Sequence, residues 1–92
     1  MWITTQNKGM LINSEQIIDI YTNVPGTIIF AETNAMINGV NKIIPLGEYK
    51  DRETCLLVLD ELSGAMKMKC IVYDMPTQEV IDDGYFSSNC QA

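Results

Sequence analysis

Cysteines at positions 55, 70 and 90 are the residues of this 92-residue chain best suited to covalent or metal chemistry, and their surroundings argue against both. The chain has no histidine. No imidazole is therefore present to take a proton from a thiol or hydroxyl, which excludes Cys-His pairs and Ser-His-Asp triads. A thiolate can also be activated by a lysine or a helix N-terminus. Cys55 falls in the first turn of a helix predicted below, but on its apolar stripe, where a buried structural cysteine is expected. Zinc needs a clustered set of Cys and His ligands, which three dispersed cysteines do not form. The acidic pairs Asp60-Glu61 and Asp82-Asp83 lack calcium-loop spacing, and no glycine-rich phosphate loop occurs. The expectation is a protein that is not an enzyme and carries no cofactor.

Charge narrows the partners. Twelve acidic against 6 basic residues give a formal charge of −6. A general nucleic-acid binder needs a basic stripe to displace counterions, so that class is not expected. Lys8, Arg52, Lys67 and Lys69 are the candidate anion contacts, and they would have to converge across an interface to hold a nucleotide. The odd cysteine count has no pairing pattern. The start, MWITTQNKG, has no apolar leader, no stretch approaches membrane-helix length, and no Asn-x-Ser/Thr site occurs. These features lead us to expect a cytoplasmic protein with three free thiols and no membrane association.

The elements that must position any site read as an α+β domain: an antiparallel sheet of about five to six short strands, built from hairpins, with one helix on one face. Met1–Thr5 and Met10–Ile12 flank a turn-like Gln6-Asn7-Lys8-Gly9 and predict a first hairpin. Ile17–Asn23 reads as a strand, with Ile18, Ile20 and Thr22 on one face and Ile17, Asp19 and Tyr21 on the other. Ser14-Glu15 could instead open a helix, but three isoleucines in four positions favour the strand. Pro25-Gly26 marks a turn, and Thr27–Thr33 is the most strand-like segment, expected to be central. Asn38-Gly39 between apolar residues is a two-residue hairpin signal. Pro45 predicts that the returning strand, Val40 to about Tyr49, lies at an edge or is bulged. Lys69–Met75 reads as the last strand. Residues 1–76 form the expected domain, and 77–92, with the turn Asp82-Asp83-Gly84 and the apolar pair Tyr85-Phe86, a loosely held tail.

The helix is predicted from Asp51 to about Ser63. Asp51 is a good N-cap and Glu53 suits the first turn; Ser63-Gly64 suggests a stop, although the helix could continue to Met68. Cys55, Val58, Leu59 and Leu62 make the core stripe. Relative to Cys55, Leu56 lies about 100° and Leu57 about 200° round the axis. Both are therefore candidate interface residues, together with Trp2, Tyr21 and Tyr49, and a small core would gain from self-association. A homo-oligomer is expected.

Three segments carry a resemblance: MWITTQNKGMLIN, LGEYKDRETCLLVLDEL and YDMP. In this order they resemble a family of small uncharacterised proteins of phages and prophages of low-GC Gram-positive bacteria. The matching residues are Gln6, Asn7, Lys8, Leu46, Gly47, Tyr49, Val58, Leu59, Glu61, Leu62, Tyr73, Met75 and Pro76. The chain departs from that pattern at Pro45, at the apolar Leu56-Leu57 and in its longer tail. The resemblance implies an accessory protein of the host cytoplasm that works by stoichiometric binding. Its partner would be a host protein, such as an antiphage defence factor, or a small nucleotide signal that it sequesters. A structural virion component is a further reading.

Overall fold

The computed structural model describes residues 1–84 and the backbone of residues 90–91. Strands β1 (Trp2–Thr4) and β2 (Leu11–Asn13) pair antiparallel, with Ile3 opposite Ile12. Their connection is closed by Thr5 N–H donating to the Met10 carbonyl at 2.9 Å, while Asn7 Oδ1 accepts from Gly9 N–H at 2.8 Å. Asn13 then caps a 3-10 turn over Ser14–Gln16, its side chain accepting from Glu15 N–H. The polar Ser14-Glu15 pair thus makes one turn, and strand β3 (Ile17–Thr22) follows it directly.

Strand β4 (Ile28–Ile37) is the centre of a three-stranded antiparallel sheet, order β3-β4-β5, with β5 at Val40–Glu48. Asn23 sets the turn into β4: its Oδ1 accepts from the backbone N–H groups of Gly26, Thr27 and Ile28 at 3.0, 2.9 and 3.1 Å. At the other end Asn38 and Gly39 take φ of 54° and 81°, the left-handed pair of a type I′ turn. Pro45 lies on the edge strand β5 beside a register shift that leaves Leu46 as an extra residue, so the strand is both at an edge and bulged. The expected alternation in β3 is broken by a second irregularity. Pairing with β4 shifts between Ile17 and Asp19, so Ile17 and Ile20 both pack on the core while Ile18 is exposed.

Helix α1 spans Arg52–Lys67. Asp51 caps it, accepting from Thr54 N–H at 2.8 Å and the Thr54 hydroxyl at 2.6 Å, and these bonds hold its carboxyl below the usual carboxylate range. The helix runs through Ser63-Gly64 because Ala65, one turn beyond Glu61 and Leu62, is still buried on the core face. It ends where Cys70 N–H reaches back to the Ala65 carbonyl, with Lys69 at φ 57° in the left-handed position that glycine normally fills.

A single antiparallel sheet does not form. The strands divide into two sheets, and in the second, order β2-β1-β6-β7, the short β6 (Val72–Asp74) lies parallel to β1, Ile3 beside Tyr73. Trp2 N–H donates to the Ile71 carbonyl and Met75 N–H to the Thr4 carbonyl. The backbone at Cys90–Gln91 (β7) pairs antiparallel with β6. Hairpin punctuation reports only neighbours in sequence, so a pairing of the first strand with one beyond the helix leaves no local mark. One core serves both sheets and α1, centred on Ile3, Ile29, Leu46, Val58, Leu62 and Tyr73.

Residues beyond Pro76 begin with a short helix α2 (Gln78–Asp82), whose first turn Thr77 caps by accepting from Val80 N–H. Lys50 N–H donates to Gln78 Oε1 at 2.9 Å, and the exposed Lys50 and Asp82 side chains meet at 3.2 Å. Tyr85-Phe86 lies outside the described residues. The expectation of three free thiols fails at Cys70, which is disulfide-bonded; Cys55 is free and buried. Cysteine usage therefore gives no argument for a reducing compartment. No helix among the described residues is long and apolar enough to cross a membrane.

Candidate interaction surface

The chemistry-bearing residues sit where they can do little. Cys55 is fully buried, and burial, then the Asp51 charge, push its thiol up, against a smaller opposing effect of Arg52. A protonated, enclosed thiol is a poor nucleophile. Among the described residues no three His, Cys, Asp or Glu side chains cluster to hold a metal. Burial raises the Glu61 carboxyl from its ordinary 4.5 to about 7. Its Oε2 and the hydroxyl of the fully buried Tyr73 make no hydrogen bond among the described residues. The Tyr73 hydroxyl is pushed up by burial first and by the Glu61 charge second.

The surface has more character than the interior. A groove runs between β3 and the C-terminal half of α1. Its larger lobe, about 810 Å³, is lined by Met1, Trp2, Ile17, Ile18, Ile20 and Ile71, with Met66, Ser14 and Cys70, and carries Asp19 and Lys69. The smaller, about 530 Å³, is lined by Ile20, Leu59, Leu62, Ser63, Met66 and Lys67. Ile20 and Met66 line both, so the two lobes join into one trough. Trp2, Ile18, Met66 and Ile71 stand exposed around it.

Of the five interface residues expected from sequence, the structure brings Trp2 to this trough. Leu56 is exposed and occupies the helical row of Leu59, Ser63 and Met66, so it extends the trough's helical wall by one turn. Leu57, 55% exposed, stands about 100° from Leu56 on the far side of the helix. Tyr21 stacks on Phe30 with ring centroids 5.8 Å apart, on the sheet face turned away from the core. Tyr49 presents no surface: it is 4% exposed, and its hydroxyl donates to the Pro76 carbonyl at 2.7 Å. Burial pushes that hydroxyl up as well.

The four candidate cations separate. Lys67 and Lys69 line the trough near the end of α1. Arg52 opens the same helix, packed on the Pro25-Gly26 turn, roughly 22 Å away along the axis at 1.5 Å per residue. Lys8 is in the β1–β2 connection at φ 63°. Sequence reading missed Ile17, Met66 and Ile71. Strict alternation puts Ile17 opposite Ile20, and the bulge that brings both to the core is not legible locally; Met66 lies beyond the glycine that suggests a helix stop. No family model, curated protein or solved structure matches the chain.

Proposed function

We propose that this chain is a non-enzymatic binding module that acts by stoichiometric association with a protein. The observation that carries this reading is the apolar trough between β3 and α1, where Trp2, Ile18, Met66 and Ile71 stand exposed around a concave surface. Burying such side chains is the main driving force of protein association. The resemblance to phage and prophage accessory proteins supplies the partner class, a host protein and in particular a defence factor that the chain would inhibit. The acidic surface, at −6 overall, favours a basic partner outside the trough.

Nucleotide sequestration is less well supported. Within one protomer Lys67 and Lys69 line the trough, Arg52 stands at the opposite end of α1, and Lys8 lines neither lobe. A homo-oligomer over the same trough is the competing occupant. The test is co-purification from the protein's own host, comparing wild type with Met66→Lys. A defined protein retained in fixed stoichiometry by wild type and lost by the variant supports the module. Equal retention by both overturns it.

A further inference from the structure

The trough has one wall that is a sheet edge, and the geometry points to strand addition there: an extended acidic peptide segment pairs with β3 and lays alternate apolar side chains over α1, with its carboxylate at Lys69 and Lys67. This inference rests on the binding-module reading above and gives it a partner chemistry.

Elimination leaves β3 as the open edge. The opposite edge, β5, lacks an N–H at Pro45, and its Leu46 and Glu48 backbone groups are taken by Gln6. The edges of the second sheet are short, three residues in β2 and two in β7. β3 has six and no lysine, arginine or proline, and its one bulge lies at Ile17–Asp19, which leaves the run from Ile20 to Thr22 in regular register. Asn23 N–H donates to the Ile28 carbonyl at 3.2 Å. By the alternation of an antiparallel ladder, Tyr21 then bonds towards β4, while Ile20 and Thr22 aim their N–H and carbonyl groups outward. Among the described residues no backbone group takes up that outer side. A strand added there would continue the sheet across the exposed flank of α1, covering Leu59, Ser63 and Met66.

Charge selects the occupant. The chain is acidic overall, yet the charged side chains lining the trough are Lys67, Lys69 and a single Asp19. Lys69 is also a lysine held in the left-handed conformation, at the position where a helix end ordinarily carries glycine. A strained residue at the rim of a trough is better explained by its charge than by the turn it makes. A second copy of this chain would instead bring its own β3, with Asp19 and no cation in the strand.

The test selects ligands from displayed random peptides of about twelve residues, then measures binding of the selected peptides by fluorescence anisotropy. The expected peptides alternate apolar residues and end in Asp or Glu. N-methylation of alternate peptide amides abolishes binding, and Ile20→Pro, which removes an outward N–H but no bond to β4, weakens it. Lys69→Gly weakens it about tenfold, as loss of one charge-assisted bond does, without lowering thermal stability. Peptides that tolerate N-methylation at every position, or that bind Lys69→Gly as tightly as wild type, overturn strand addition. So does the absence of any selected peptide together with a dimer that Ile20→Pro dissociates, which gives the edge to a second copy. If the host partner is lost on Met66→Lys but kept on Ile20→Pro, the module stands and strand addition falls.

Discussion

The side chain of Gln6 pairs with the backbone of Glu48 as a neighbouring strand would. Glu48 N–H donates to Gln6 Oε1 at 2.9 Å, and Gln6 Nε2 donates back to the Glu48 carbonyl at 3.0 Å. The same Nε2 reaches the Pro76 carbonyl at 3.1 Å, and Gln6 N–H donates to the Leu46 carbonyl at 2.8 Å. One residue thus joins the first hairpin, the edge of the other sheet and the chain after β6. Gln6→Ala should cost about 1 kcal/mol, since the Glu48 N–H and carbonyl lose their side-chain partner at an exposed edge while the Pro76 carbonyl keeps the Tyr49 hydroxyl. Urea denaturation with an unchanged slope is the check.

Glu61 makes stability pH-dependent in a definite direction. Its folded carboxyl titrates near 7 against an ordinary 4.5, so the folded state holds the proton more tightly than the unfolded state. Stability from this group is fully present below 4.5 and declines as pH rises through about 7. Glu61→Gln, which keeps the shape and stays neutral, should flatten that decline. Denaturation midpoints on both sides of neutrality should converge in the variant, and an unchanged slope with pH would refute the assignment.

Lys69 should be dispensable for folding. Replacing a left-handed lysine by glycine relieves backbone strain, although glycine also loosens the unfolded chain. Lys69→Gly is expected to leave stability equal or raise it by up to about 1 kcal/mol. Thermal denaturation measures this directly, independently of any ligand.

The two exposed leucines of α1 should behave differently. Leu57→Lys changes a singly exposed side chain outside the trough and should alter stability by less than about 0.5 kcal/mol. Leu56→Lys places a charge on the trough's helical wall and should weaken partner retention while leaving the circular dichroism spectrum unchanged. Equal effects from both would show that the whole outer helix face is used.

Much of this architecture was legible where a local rule acts alone. Asn38-Gly39 specifies its turn by φ, Pro45 denies β5 a central place, and Asp51 caps α1 through a side chain that accepts from an N–H three residues on. What escaped depends on distant partners. The parallel β1–β6 pair and the division into two sheets follow from how α1 returns the chain, and no dipeptide encodes them. Ser63-Gly64 resembles a stop because glycine commonly sits just past a helix end, yet Ala65 is buried and carries the helix onward. The trough was legible only in part: Trp2 announced itself as an aromatic, but Ile17 and Ile20 share a side only because of a bulge.

The parallel pairing of β1 with β6 also orders events during synthesis. Gln6 and the carbonyl it binds at Pro76 are 70 residues apart, so the first hairpin can meet the edge of β5 well before its own sheet is complete. A lone three-residue hairpin is barely stable in water. Completing the β1–β6 pair therefore requires the closure of a long loop, a step whose entropy cost is separate from winding the helix.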